Sequence, residues 1–175
     1  MNSIESIEHF IEELNKSEPG NYASIIKRLD IPLNEFTYYA SWSDKGYTRN
    51  CIARTDDYEL ILLCWDTDAE TPIHGHGGED CWVYQVRGHI EEVRVKKDSL
   101  GFYETNRMIL KPGRLTYMHD RMGFHKLKNR SGHKAMTLHI YASPIDSCRV
   151  YNEDTNCFEM KEMVYDTQEN VLIDN

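Results

Sequence analysis

His74-Gly75-His76, a third histidine at position 125 and a fourth in His139-Ile140-Tyr141 are the residues of this chain best suited to chemistry. Neutral imidazole is the commonest protein ligand for a transition metal. On an extended strand alternate side chains share a face, so His74 and His76 can project together as half of a site. His125, in a different strand-like segment, offers the third donor that a site assembled from several elements requires. Three neutral imidazoles leave the full charge on a divalent metal and about half of an octahedral shell open. His139 points the same way as Tyr141. The residues alone leave it open between a further ligand and a buried histidine held by a tyrosine. His9, His89, His119 and His133 lie in polar or helical surroundings and read as solvated.

Arg49 is the second candidate. It sits two residues from Tyr47 on one strand face, which Cys51 and Ala53 continue as small and apolar. An arginine facing a barrel interior needs an anion, and bidentate carboxylate binding is the best use of its planar fork. Arg54 and Arg87 read as surface residues. Taken singly, Cys81 is a buried thiol and Tyr141 a core tyrosine whose hydroxyl finds a partner.

Strands must position these groups. Ile4, Ile7, Phe10, Ile11 and Leu14 repeat at helical spacing and stop before Pro19-Gly20. A short second helix is expected from Tyr22 to Leu29, and another turn of structure from Tyr38 to Trp42. From Tyr47 the texture is strand-like. The apolar run Tyr58 to Trp65 reads as a strand buried on both faces. Short strands follow at 81–86, 89–95, 107–110, 115–118, 124–128, 134–141 and 147–151. Gly77-Gly78, Lys111-Pro112-Gly113 and Asn129-Arg130-Ser131-Gly132 punctuate them. Many short strands after a helical leader predict an all-β jelly-roll barrel in one domain. The leader would span residues 1–46, the barrel 47–163, and a polar, loose C-terminal tail 164–175.

Composition narrows the classes. The chain has 175 residues, enough for one sizeable core. Twenty Lys+Arg against 29 Asp+Glu give 20 − 29 = −9, which argues against a nucleic-acid or anionic-membrane partner. No apolar run approaches the roughly 20 residues of a membrane-spanning helix. The N-terminus is polar and acidic, unlike a signal peptide. Five cysteines, an odd number without a CxxC pair, fit a reducing compartment, so a cytoplasmic monomer is the expectation.

The motifs together resemble a known family. His74-x-His76, four residues to Cys81 and six more to Gly88 follow the first cupin motif, with Cys81 at the position usually held by glutamate. Gly123-Phe124-His125 through Asn129 resembles the second. A three-histidine cupin with cysteine in place of glutamate is similar to the cysteine dioxygenases. Tyr47-Thr48-Arg49-Asn50, Leu63-Cys64-Trp65, Thr137-Leu138-His139-Ile140-Tyr141, Cys148 and Met163 fall at that family's spacings, from about Tyr47 to Met163.

The resemblance implies one Fe(2+) on His74, His76 and His125, with L-cysteine and O2 as substrates. It implies Arg49 and Tyr47 on the substrate carboxylate, with Cys148 also in the substrate site. Cys81 and Tyr141 would form a thioether, a protein-derived cofactor that many bacterial relatives lack because they carry glycine at that position. Tyr141 would be catalytic, steered by a hydrogen bond from His139. Three rivals stand beside this reading. One is a dioxygenase of another thiol such as 3-mercaptopropionate, whose specialists generally carry glutamine at the position of Arg49. The others are a three-histidine zinc hydrolase or isomerase and a non-enzymatic metabolite-binding cupin.

Overall fold

The computed structural model describes residues 2–173. Three short helices open the chain: α1 (Ile7–Asn15), α2 (Tyr22–Ile26) and α3 (Leu33–Tyr38). Ser6 caps α1 by accepting from the His9 N–H, and Ile7, Phe10 and Leu14 form its buried stripe. The turn expected at 38–42 lies earlier, because Pro32 fixes an extended residue just ahead of α3.

Twelve strands follow in the described residues. They are β1 (Tyr47–Arg54), β2 (Glu59–Trp65), β3 (Cys81–Arg87), β4 (Ile90–Asp98), β5 (Gly101–Leu110), β6 (Leu115–Met118), β7 (Phe124–Asn129), β8 (Ala135–Tyr141), β9 (Ser147–Asn152), β10 (Cys157–Glu162), β11 (Thr167–Gln168) and β12 (Val171–Leu172). One sheet runs β12-β11-β1-β2-β8-β3-β6, and opposite it lie β5-β4-β7 and β9-β10. The segment before β3 closes the gap between those two. Glu70 bridges to Lys128, and His74 bridges to both His125 and Val150. The sheet architecture is the jelly-roll expected from the sequence.

Two cores explain the unbroken apolar runs. Leu60, Leu62 and Cys64 of β2, with Met136, Leu138 and Ile140 of β8, face the helices. Ile61, Leu63 and Trp65 alternate with them and fill the barrel interior beside Cys81, Val83 and Tyr141. The helical leader is thus a cover for one face of the large sheet.

Two departures from the sequence reading stand out. β10 and the first half of β5 are additional strands; their residues are largely exposed, and the apolar alternation is confined to Phe158 and Met160. The C-terminal segment is not loose: through residue 173 it forms the β11–β12 hairpin, with β11 parallel to β1. Asp174 and Asn175 lie outside the described residues.

Candidate metal centre and active site

His74 and His76 sit in the extended link between β2 and β3, outside the regular strands. That link behaves as a strand because its neighbours satisfy it. His74 and His125 exchange backbone hydrogen bonds of 2.9 and 3.1 Å, and the Gly75 N–H donates to Arg149 O at 2.9 Å. Two of the three histidines are therefore clamped to each other through the backbone. A Cβ on Gly75 would lie 2.9 Å from Asp120 Oδ1. Glycine between the histidines leaves room for Asp120 to accept from the His76 N–H at 2.6 Å and the Gly78 N–H at 3.0 Å. Gly123 prepares the third position: its φ is +114°, and a Cβ there would meet Val95 O at 2.4 Å.

The result is a convergent cluster. One donor atom from each of His74, His76 and His125 lies within 4.8 Å of the others. The Nδ1 of His74 rests 3.0 Å from Pro72 O, and that of His125 lies 2.8 Å from Glu92 Oε1. An ionised carboxylate only accepts, so His125 Nδ1 carries the proton and Nε2 keeps its lone pair. That Nε2 is buried and has no protein partner, the condition expected of a nitrogen awaiting a metal. Burial, reinforced by the crowding of imidazoles that cannot all be charged together, pushes His74 down to about 3 and holds His76 well below the usual imidazole range. His74 and His76 are neutral at physiological pH, and with the unpartnered His125 Nε2 the set fits a divalent metal with three nitrogen ligands.

Glu92 and Asp120 are the site residues that the sequence reading missed. Glu92 is fully buried on β4. Its Oε2 accepts from Thr116 Oγ1 at 2.8 Å and Arg94 Nη2 at 3.2 Å. Burial pushes its carboxyl up, but the His125 hydrogen bond and the Arg94 charge outweigh that and hold it below the ordinary range. The available signal was weak: Ile90, Glu92 and Arg94 share one strand face, which placed an acid beside a base on a face opened by isoleucine.

A small cavity of about 50 Å³ opens beside the histidines. At roughly 10–15 Å³ per water-sized probe it holds a few waters or one small molecule. Arg49, Tyr47, Tyr141, Cys148, Lys161 and Met163 line it opposite His74 and His76. Tyr47 packs on Trp65 with ring centroids 5.0 Å apart. The Cys148 thiol lies 3.7 Å from Met163 Sδ. Arg49 and Tyr141 line the same cavity, and the Arg49 charge acts to lower the Tyr141 phenol against the larger effect of burial. Among the candidate substrate residues, all three therefore reach the cavity.

Cys81 and Tyr141 are directly opposed across β3 and β8. Such antiparallel pairs bring Cβ atoms to about 4.5–5.5 Å, so the thiol and the phenol ring are direct cross-strand neighbours. Burial pushes the Cys81 thiol far up, and burial with the adjacent Cys81 pushes the Tyr141 phenol up. His139 differs from expectation. Its Nε2 lies 2.9 Å from Thr137 Oγ1, which also accepts from Trp65 Nε1 at 2.8 Å. Its ring centroid is 6.3 Å from that of Tyr141, and no hydrogen bond joins them. Thr137, two residues back on the same face, holds Nε2, and Nδ1 has no partner among the described residues, where the sequence reading expected a hydrogen bond from His139 to Tyr141.

The family model described as "Cysteine dioxygenase type I" matches residues 7–154. Human cysteine dioxygenase type 1 is 26% identical over 149 residues, covering 82% of this chain and 73% of the human one. The rat protein of that name is 27% identical over 126 residues, covering 69% and 63%. Among solved structures, a Klebsiella pneumoniae protein with a double-stranded β-helix domain aligns at TM-score 0.51 and 15% identity, over 73% of this chain and 94% of that one. A Thermus thermophilus protein aligns at TM-score 0.51 and 19% identity, over 62% and 93%. These structural likenesses speak for the barrel. With the family match running from the first helix past the third histidine, the chain belongs to the cysteine dioxygenases of the cupin superfamily.

Proposed function

We propose that the protein oxidises L-cysteine to cysteine sulfinate, with His74, His76 and His125 holding one Fe(2+). Its family is one of iron-binding oxidoreductases that dioxygenate thiols. The observation that carries the choice of substrate is Arg49, which shares with His74 and His76 a cavity sized for one small molecule. Bound iron would supply the redox-active cation at which a thiolate and O2 react; the overall change, RSH + O2 → RSO2H, needs no external reductant.

The protein's own groups do the rest. Arg49 and the Tyr47 hydroxyl hold the substrate carboxylate, which fixes where the sulfur lies and removes orientational entropy from the barrier. Cys148 and Met163 close the wall beside it and exclude water. The Tyr141 hydroxyl, in the same cavity as His74 and His76, donates a hydrogen bond to oxygen as charge develops there. His139 acts indirectly, packed beside Tyr141 on β8 and pinned by Thr137. Cys81, opposed to Tyr141, is placed to form the thioether, which joins its sulfur to the phenol ring with loss of two hydrogens to O2-derived oxidant.

The test is substrate choice. Oxygen uptake by iron(II)-loaded protein should be fastest with L-cysteine, well behind it with 3-mercaptopropionate, and least with cysteamine, which has no carboxylate. Faster uptake with 3-mercaptopropionate would keep the chemistry and overturn the substrate.

A further inference from the structure

The C-terminal segment is built along β1 from Arg49 to Cys51, and its first residues meet Arg49. Asp166 grips the Arg49 peptide from both ends: its Oδ2 accepts from the Arg49 N–H at 2.8 Å, and its own N–H donates to Arg49 O at 2.8 Å. Val164 O accepts from Arg49 Nε at 3.1 Å. The Tyr165 ring lies beneath the guanidinium, its centroid 5.9 Å from Cζ. That ring is itself held at its far end, where the hydroxyl bonds the fully buried Glu59 and accepts from Arg54 Nη1. Beyond it, buried Thr167 donates to Asn50 Oδ1 at 2.9 Å, and the Glu169 N–H donates to Cys51 O at 3.0 Å. The hairpin turns through Glu169 and Asn170, both at positive φ.

This arrangement has a geometric consequence. A guanidinium has five N–H donors in one plane, so fixing Nε and one ring face fixes where both Nη groups point. Val164 and Tyr165 fix those two, leaving the Nη groups to the cavity that Arg49 lines. Without this segment β1 would be the edge of its sheet, with Arg49 free to reach solvent.

We infer that residues 164–166 form a strap that aims Arg49 into the cavity, with Asp166 as a positioning residue for the binding of carboxylate-bearing thiols. The inference rests on the reading of Arg49 as the carboxylate anchor. The strap lies beyond residue 154, where the family match ends.

The experiment compares Asp166→Ala, Asp166→Asn and Arg49→Ala in iron-loaded, full-length protein, reading KM and kcat for L-cysteine and the iron stoichiometry. Asp166→Ala should raise KM about tenfold, the scale of one lost hydrogen bond to a strained or reoriented anchor, with kcat changed less than about twofold. Iron content should not move. Asp166→Asn, which keeps an oxygen for the Arg49 N–H, should restore most of the lost KM. An unchanged KM in Asp166→Ala, alongside a large effect of Arg49→Ala, would overturn the strap and leave the anchor standing. Equal losses in KM, kcat and iron for both Asp166 variants would also overturn it, as general destabilisation. No effect of Arg49→Ala would remove the anchor, and the strap with it.

Discussion

Replacing Glu92 with glutamine should weaken metal binding although residue 92 touches no metal. The carboxylate faces two ways. Oε1 takes the His125 Nδ1 proton at 2.8 Å, while Oε2 takes Thr116 at 2.8 Å and Arg94 at 3.2 Å. A glutamine has one oxygen and one NH2 for those positions. With its oxygen towards His125, the NH2 confronts the Arg94 donor in a buried space. With its NH2 towards His125, Nδ1 must become the acceptor and Nε2 takes the proton, which removes the lone pair that would bind metal. Either orientation forfeits a charge-assisted bond of about 1.5–3 kcal/mol. That is about 10- to 100-fold in the metal dissociation constant, the range found when a carboxylate behind a ligating histidine is removed. The assay is competition between the apo-protein and a chelator for Fe(II) or Co(II), with Glu92→Asp as the partial rescue and His125→Ala as the lower limit. An affinity for Glu92→Gln within about twofold of the unaltered protein would refute the reasoning.

The other expectations follow the same geometry. Arg49→Ala should cost cysteine turnover about 2–5 kcal/mol in kcat/KM, as for truncating one partner of a buried charge pair, while iron binding holds; unchanged kinetics would take Arg49 out of the site. Gly75→Ala drives a Cβ to 2.9 Å from Asp120 Oδ1 and should lower iron stoichiometry by shifting His76; full iron content in a folded variant would contradict the role given to that glycine. The apo-protein should lose stability on acidification. Buried His76 and His139 sit well below their unfolded value near 6.5, so below that pH the unfolded chain binds more protons, each histidine costing up to about 1.4 kcal/mol per pH unit. A urea midpoint equal at pH 7 and pH 5 in metal-free protein would oppose this. Cys81→Gly should abolish the mass loss of the thioether in protein exposed to iron, cysteine and oxygen; a mass loss that persists would mean a different crosslink.

Much of the site was legible because its residues announce themselves by type. Histidines one residue apart, and a third after Gly-Phe, are unusual enough to point inward, and Arg49 shares a face with Tyr47 by simple alternation. The apolar run of β2 told correctly of burial on both faces, since Leu60, Leu62 and Cys64 pack under the helices while Ile61, Leu63 and Trp65 fill the barrel. What failed to show has physical reasons. Glu92 is one of two adjacent glutamates, and only the pleat decides that it faces inward while Glu91 pairs with Arg107 and Arg130 outside. The strap is irregular and the strands after it, β11 and β12, have two residues each, too short for any period, while Asp166 and Thr167 are used on Arg49 and Asn50. His139 and Tyr141 do share a face, but alternation says nothing of which neighbour takes a ring nitrogen, and Thr137 is nearer.

The central claim is that these three histidines and Arg49 together serve a dioxygenation of L-cysteine. Reaction of iron-loaded protein with L-cysteine under 18O2, followed by mass analysis of the product, tests it most directly. The account predicts one O2 consumed per cysteine sulfinate and both labelled atoms in the same product molecule. One labelled atom, or sulfinate without matching oxygen uptake, would contradict it.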